Sequence, residues 1–253
     1  MNTRKTTIFA IGYSDNNSTA YLLDYLTSHG VSIDGVIFPK NQLRRCWKRL
    51  AKKFQARGFT PTIKRIPENL FVRKRQIEKT CRESIKRAFF VNDINSEEAR
   101  EILTSNNVSL LLLVATPIIK PIIIDIDGLT ILNPHTGWLP QYRGLDANLK
   151  ALRDGHQLGV SIHRVTKEID AGEVCVREGF KIRYKNNIIE QIDREELKLQ
   201  GKLLVKAVEL QEKNMLKPIS LSEQLGKYEP PLTKKEKKRI IAQHQQRLVT
   251  GLS

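Results

Sequence analysis

Cysteine is scarce in this chain: Cys46, Cys81 and Cys175 are the only three in 253 residues, with no Cys-x-x-Cys spacing and no histidine companions. That excludes a disulfide framework and offers no zinc site, and no other ligand cluster suggests a metal. A reducing cytoplasm is the expected setting. Long apolar runs are missing too. The run after Lys5 is broken by Asp15, too early for a signal peptide or a membrane span, and the most apolar stretch, Val108 to Ile126, contains Pro117, Lys120, Pro121 and Asp125. No internal repeat is evident. Acidic charge is the third deficit: 27 Asp and Glu face 43 Lys and Arg, a formal net charge of +16. The excess is local, with +13 between Arg44 and Arg87 and +5 between Lys234 and Arg247, which leaves −2 for the remainder. A nearly neutral body therefore carries two basic segments. With 40% hydrophobic residues, that body can bury a full core.

The pattern along the chain predicts alternating strands and helices. Thr6 to Gly12 reads as a strand, Tyr21 to Leu26 lies on an amphipathic helix capped near Gly30, and Val31 to Phe38 reads as a second strand. This β-α-β unit predicts a parallel sheet. Basic helices are expected over Gln42 to Ala56 and Phe71 to Ala88, and Asn95 is expected to cap a helix ending near Ser105, with Glu98 at its third position. Val108 to Ala115 has the continuous apolar character of a central strand, and a short strand follows from Thr130 to Asn133. Asp146 to Arg153 reads as a helix, Val160 to Val165 and Val174 to Ile182 as strands, and Ile188 to Lys213 as a long helix. Beyond Lys217, Tyr228-Glu229-Pro230-Pro231 reads as an extended linker and Lys234 to Leu248 as a terminal basic helix. The fold class expected is α/β, a Rossmann-like open, mostly parallel sheet flanked by helices.

Four short motifs follow one another: Asn133-Pro134-His135, Leu139-Pro140-Gln141-Tyr142-Arg143-Gly144, Gly159-Val160-Ser161-Ile162-His163, and Ile169-Asp170-Ala171-Gly172. Singly, each has an ordinary structural reading as a turn, a loop or a strand. In this order and spacing they resemble the folate-dependent formyltransferase family. The resemblance covers Lys5 to Leu216 and is specific from Leu110 to Glu178. It implies a catalytic domain over residues 1–217, including the basic segment 42–88, with 218–253 as linker and basic helix.

The resemblance implies catalysis by Asn133, His135 and Asp170, and the residue types suit it. Formyl transfer passes through a tetrahedral centre, so it needs donors for a developing oxyanion and a place for the acceptor's proton. Asn133 and a protonated His135 would serve the oxygen. Asp170 would keep His135 protonated and take the proton, directly or through water. His163 is expected behind the site or as a structural strand residue. Arg143 and Gly144 shape the loop, with Arg143 also available to an anionic part of a substrate. By the same resemblance, 10-formyltetrahydrofolate is the co-substrate, with backbone contacts to its pterin from Val114, Ile118 and Ile119 on one side and Thr166, Ile169 and Gly172 on the other.

The acceptor stays open among methionyl-tRNA-like molecules, aminosugar nucleotides and glycinamide ribotide. Arg44, Arg45, Lys48 and Arg49 are the candidates for its phosphate. Gly12-Tyr13-Ser14-Asp15-Asn16 has one glycine and an acid where ribotide enzymes carry a phosphate-gripping loop. The residues after Lys217 are fewer than the β-rich C-terminal domain of methionyl-tRNA enzymes would need. Hydrolysis of the same co-substrate is the rival within enzymes, although the first strand's early start leaves no room for the regulatory domain usual in such deformylases. A non-catalytic protein binding nucleic acid or another anionic surface is the rival outside them.

Overall fold

The computed structural model describes residues 6–40, 84–183, 187–221 and 224–250. Two compact units emerge, Met1–Ile131 and Leu132–Ser253.

In the first unit, β1 (Ile8–Gly12), β2 (Gly35–Pro39), β3 (Ala88–Val91) and β4 (Leu110–Val114) run parallel in the order β3-β2-β1-β4. Both β1 and β4 are apolar and buried at every position. Strands covered on both faces have no solvent side, so the alternation of a half-exposed strand is absent. The described residues of this unit also form α1 (Asn17–Ser28), α2 (Glu97–Ser105) and α3 (Pro121–Ile124).

Local contacts correct three expectations here. The second strand starts at Gly35 rather than Val31, because the Val31 N–H closes the end of α1 on the Leu26 carbonyl at 3.0 Å. The cap of α2 is Ser96 rather than Asn95; Ser96 Oγ accepts from the Ala99 N–H at 3.3 Å. Asn95 instead holds the chain near α3, donating to the Ile118 carbonyl and accepting from the Lys120 N–H. The helix expected up to Ala88 gives way to β3, where Phe89 stacks on Phe9 with ring centres 5.8 Å apart. The rest of that helix, and the one carrying Arg44, Arg45, Lys48 and Arg49, fall outside the described residues.

In the second unit, β5 (Thr130–His135), β6 (Leu158–Arg164) and β7 (Val174–Phe180) pair antiparallel. The first two residues of β5 belong to the first unit. Of the described strand pairings three are parallel and two antiparallel, which gives the mostly parallel, Rossmann-like α/β class expected. Helices α4 (Ala147–Asp154), α5 (Ile188–Glu212) and α6 (Lys234–Thr250) complete the unit. A shared core joins Tyr142, Leu149 and Leu152 to Leu158, Ile192 and Ile240. Ile240 comes from the basic terminal helix and is 2% exposed, so that helix is an integral part of the unit.

One buried polar link ties α4, α5 and β6 together. Asn148 exchanges hydrogen bonds with the Gly159 backbone at 2.8 and 2.9 Å and donates to Glu196 at 2.8 Å. Burial pushes the Glu196 carboxyl up to about 7. A raised acid binds its proton more tightly in the folded chain, so stability falls as pH rises from 4.5, the ordinary value, through about 7. Glu196→Gln keeps an oxygen for Asn148 and removes that loss. The variant is expected to be about 1–3 kcal/mol more stable at pH 8, with little change at pH 4, in urea unfolding at the two pH values.

Candidate active site

Strand register builds the site. Asn133 and His135 are two residues apart on β5, so their side chains share one face. Across the antiparallel pair Asn133 lies opposite His163 and His135 opposite Ser161. Cross-strand neighbours touch. The Asn133 amide lies 3.0 Å from His163 Nε2. His163 Nδ1 donates to the Arg164 carbonyl at 2.9 Å, so in the neutral ring Nε2 accepts an N–H from Asn133, and in the protonated ring Nε2–H faces Asp170 Oδ1 at 3.5 Å. The second amide hydrogen of Asn133 remains to be donated elsewhere.

His135 is 7% exposed. Its Nε2 donates to the Tyr142 carbonyl at 2.8 Å, and its Nδ1 faces Asp170 Oδ2 at 3.4 Å. Burial lowers its pKa below the ordinary histidine value, against the opposing pull of the Asp170 charge. The expectation that Asp170 keeps this ring protonated thus meets a stronger effect from desolvation. Asp170 responds in the other direction. Burial alone would favour its neutral acid, but His163 at 3.5 Å, His135 and the Gly144 N–H at 2.9 Å hold its carboxyl down to about 2. At neutral pH the pair therefore carries a single negative charge on Asp170.

The loop from Leu139 to Gly144 is pinned from several sides. Ser161 Oγ accepts from the Leu139 N–H and donates to the Gly137 carbonyl, so a fully buried serine fixes the approach to the loop. Arg143 is 6% exposed. Its guanidinium donates to Ile169 O at 2.6 and 3.0 Å, to Glu168 at 2.7 Å and to Gly226 O at 3.2 Å. Of its two expected roles the structure therefore displays loop shaping, since each nitrogen meets a protein oxygen. Asp170 itself adopts φ +50°, in the left-handed region. The clamp by Arg143 on Ile169 and Glu168 holds the carboxylate in that position.

Other expected residues are placed as follows. Thr166 Oγ1 donates to the Glu168 carbonyl, and a side chain at Gly172 would overlap the Arg164 carbonyl, so both shape the turn that carries Asp170. In the first unit, the Val114 and Ile118 carbonyls accept from Thr19 and Asn95, Ile119 is buried, and the Ile118 side chain is exposed. After β1, the Tyr13 and Ser18 N–H groups donate to Thr19 and Asn16, as befits a loop without the glycine-rich phosphate grip. Among the described residues no group of three or more His, Cys, Asp or Glu is arranged to hold a metal, and no described helix is long and apolar enough to cross a membrane.

Two contributors lie beyond the sequence reading. The Tyr142 carbonyl acts through backbone and leaves no mark in the residue type. Ser161 sits two residues before His163 on the same strand, so period-two spacing was the available signal.

Over residues 51–208 the sequence matches the family model for formyl transferases. The chain belongs to that family. Among curated relatives, the methionyl-tRNA formyltransferase of Caldicellulosiruptor saccharolyticus is 29% identical over 143 residues, covering 56% of this chain and 45% of that protein. The chain spans about half the length of the curated relatives it matches. In fold it is similar to a 4-N formyltransferase from Francisella tularensis, with TM-score 0.59, 14% identity, and coverage of 95% of this chain and 87% of that one. It is similar also to phosphoribosylglycinamide formyltransferase from Anaplasma phagocytophilum, with TM-score 0.57, 17% identity, and coverage of 88% and 97%. Family membership and fold agree with the order of motifs from Asn133 to Gly172.

Proposed function

We propose that this protein transfers a formyl group from 10-formyltetrahydrofolate to the primary amine of a phosphate-bearing acceptor. The supporting observation is the convergence of Asn133, His135, His163 and Asp170, with one amide hydrogen of Asn133 uncommitted and one negative charge behind the histidines. Asn133 donates that hydrogen to the oxygen on which charge develops, and His163, by accepting the other, fixes which way the amide points. A carboxylate held at about 2 is too weak a base to keep the acceptor's proton at neutral pH. It relays the proton to His135 Nδ1. There the imidazolium donates to Tyr142 O and Asp170 Oδ2 until the tetrahedral centre collapses, the bond from the formyl carbon to the co-substrate nitrogen breaks, and the proton returns through Asp170 to that leaving nitrogen.

Backbone contacts to the co-substrate's pterin stay a proposal for Val114, Ile118 and Ile119 in the first unit and for Thr166, Ile169 and Gly172 in the second; the carbonyls of Val114, Ile118 and Ile169 each already accept a protein donor. Arg44, Arg45, Lys48 and Arg49 are the proposed phosphate grip. Methionyl-tRNA-like molecules, aminosugar nucleotides and glycinamide ribotide are the acceptor classes to compare.

Calorimetric titration with a stable 10-formyltetrahydrofolate analogue should give a dissociation constant on the order of micromolar, about −8 kcal/mol. Absence of binding would sink the reading. With the natural co-substrate, tetrahydrofolate release that depends on an amine acceptor supports transfer, whereas release in buffer alone at the same rate marks a hydrolase.

A further inference from the structure

The chain from Leu225 onward reads in sequence as linker plus basic helix. The structure gives it a different part. Gly226 N–H donates to the Pro140 carbonyl at 2.9 Å, and the Gly226 carbonyl accepts from Arg143. A side chain at Gly226 would overlap the Gln141 carbonyl, so the two backbones meet at glycine distance. The Tyr228 ring lies on Gly144, where an added Cβ would come within 2.8 Å of the ring and 3.2 Å of the Glu229 carbonyl. Lys150, almost fully buried, donates to that same carbonyl at 2.9 Å. The Leu232 N–H and Lys237 both reach the Asp146 carboxylate, at 3.0 and 2.5 Å. Ile240 anchors the far end in the core beside Tyr142.

These contacts fall on Pro140, Gln141, Arg143, Gly144 and Asp146. The same loop supplies the two backbone groups that hold the reactive pair, Tyr142 O on His135 and Gly144 N–H on Asp170. We propose that residues 225–240 are a strap that positions His135 and Asp170 through the loop from Pro140 to Asp146, with Gly226 and Tyr228 as the positioning residues. The inference rests on His135 and Asp170 being the reactive pair proposed above. Gly226 and Tyr228 touch neither of them; they act by fixing where the Tyr142 carbonyl and the Gly144 N–H stand.

The test is Gly226→Ala in the full chain. The groups around His135 are Asp170, His163, the Tyr142 carbonyl and, farther off, Lys150. Burial, the largest influence, disfavours the imidazolium while Asp170 and the Tyr142 carbonyl favour it, so a loop pushed outward should move the His135 titration midpoint, followed by NMR of the labelled imidazole. Formyl transfer should fall about 10–100-fold, in kcat more than in KM, as small misplacements of reacting groups do. Tyr228→Ala should repeat both effects and Tyr228→Phe, which keeps the ring on Gly144, should restore them. An unchanged midpoint in folded Gly226→Ala and Tyr228→Ala variants would overturn the strap. If Gly226→Ala does not fold, the Tyr228 pair decides alone. A moved midpoint in a protein whose wild type transfers no formyl group would keep the strap and sink the proposed function instead.

Discussion

Asp170→Asn is expected to lower formyl transfer at least about a hundredfold at pH 7 while folate-analogue binding stays nearly unchanged. The amide oxygen can still accept from the Gly144 N–H, so the loop keeps its partner. What disappears is the charge that lets a proton come to rest on His135. Because Asp170 raises the pKa of His135 against the lowering effect of burial, its removal should also move the acid limb of the pH–rate profile to lower pH. The stability consequence has a definite sign. A carboxyl ordinarily at 3.8 and held at about 2 when folded stabilises the fold above pH 4, and that contribution is lost as pH falls through about 2. By linkage it is worth about 2 kcal/mol at neutral pH. Chemical unfolding of both proteins at pH 7 and pH 3 should therefore show a gap that narrows at the lower pH. Full activity in the variant would remove Asp170 from the mechanism.

The second large effect belongs to Asn133. Asn133→Ala removes the uncommitted amide hydrogen and leaves His163 Nε2 without its donor. The expected loss is about 100–1,000-fold in kcat, the usual cost of deleting one oxyanion donor. Because the interaction strengthens as charge develops, kcat and kcat/KM should fall together. A rise in KM at constant kcat would make Asn133 a binding residue instead and return the oxyanion role to His135, whose Nε2 would then have to leave the Tyr142 carbonyl.

Much of this was legible because it depends on local pattern. Continuous apolar runs gave β1 and β4, and the period of Ile188 to Leu210 gave α5 to within a residue of its end. The short strand expected from Thr130 to Asn133 was legible too, but its continuation to His135, which puts Asn133 and His135 on one face, appears only in the fold. Other features were hidden because a competing contact won. Asn95 had the chemistry of a cap, yet tertiary contacts to Ile118 and Lys120 claimed it. The basic helix expected up to Ala88 gave way to a strand at that residue, where Phe9 offers a partner for the ring of Phe89.

The sequence by itself determined the fold class, most of the element order among the described residues and the residue types at the site, since these follow from hydrophobic period, turn chemistry and the spacing of motifs. Tertiary structure alone decided the protonation balance of His135 and Asp170, because that balance is set by burial and by backbone groups at Tyr142 and Gly144 that have no residue signature. It also decided the role of the chain around Gly226 and Tyr228. A glycine and a tyrosine in a polar stretch read as linker, and only the proximity of the Gln141 carbonyl and of Gly144 shows what they hold in place.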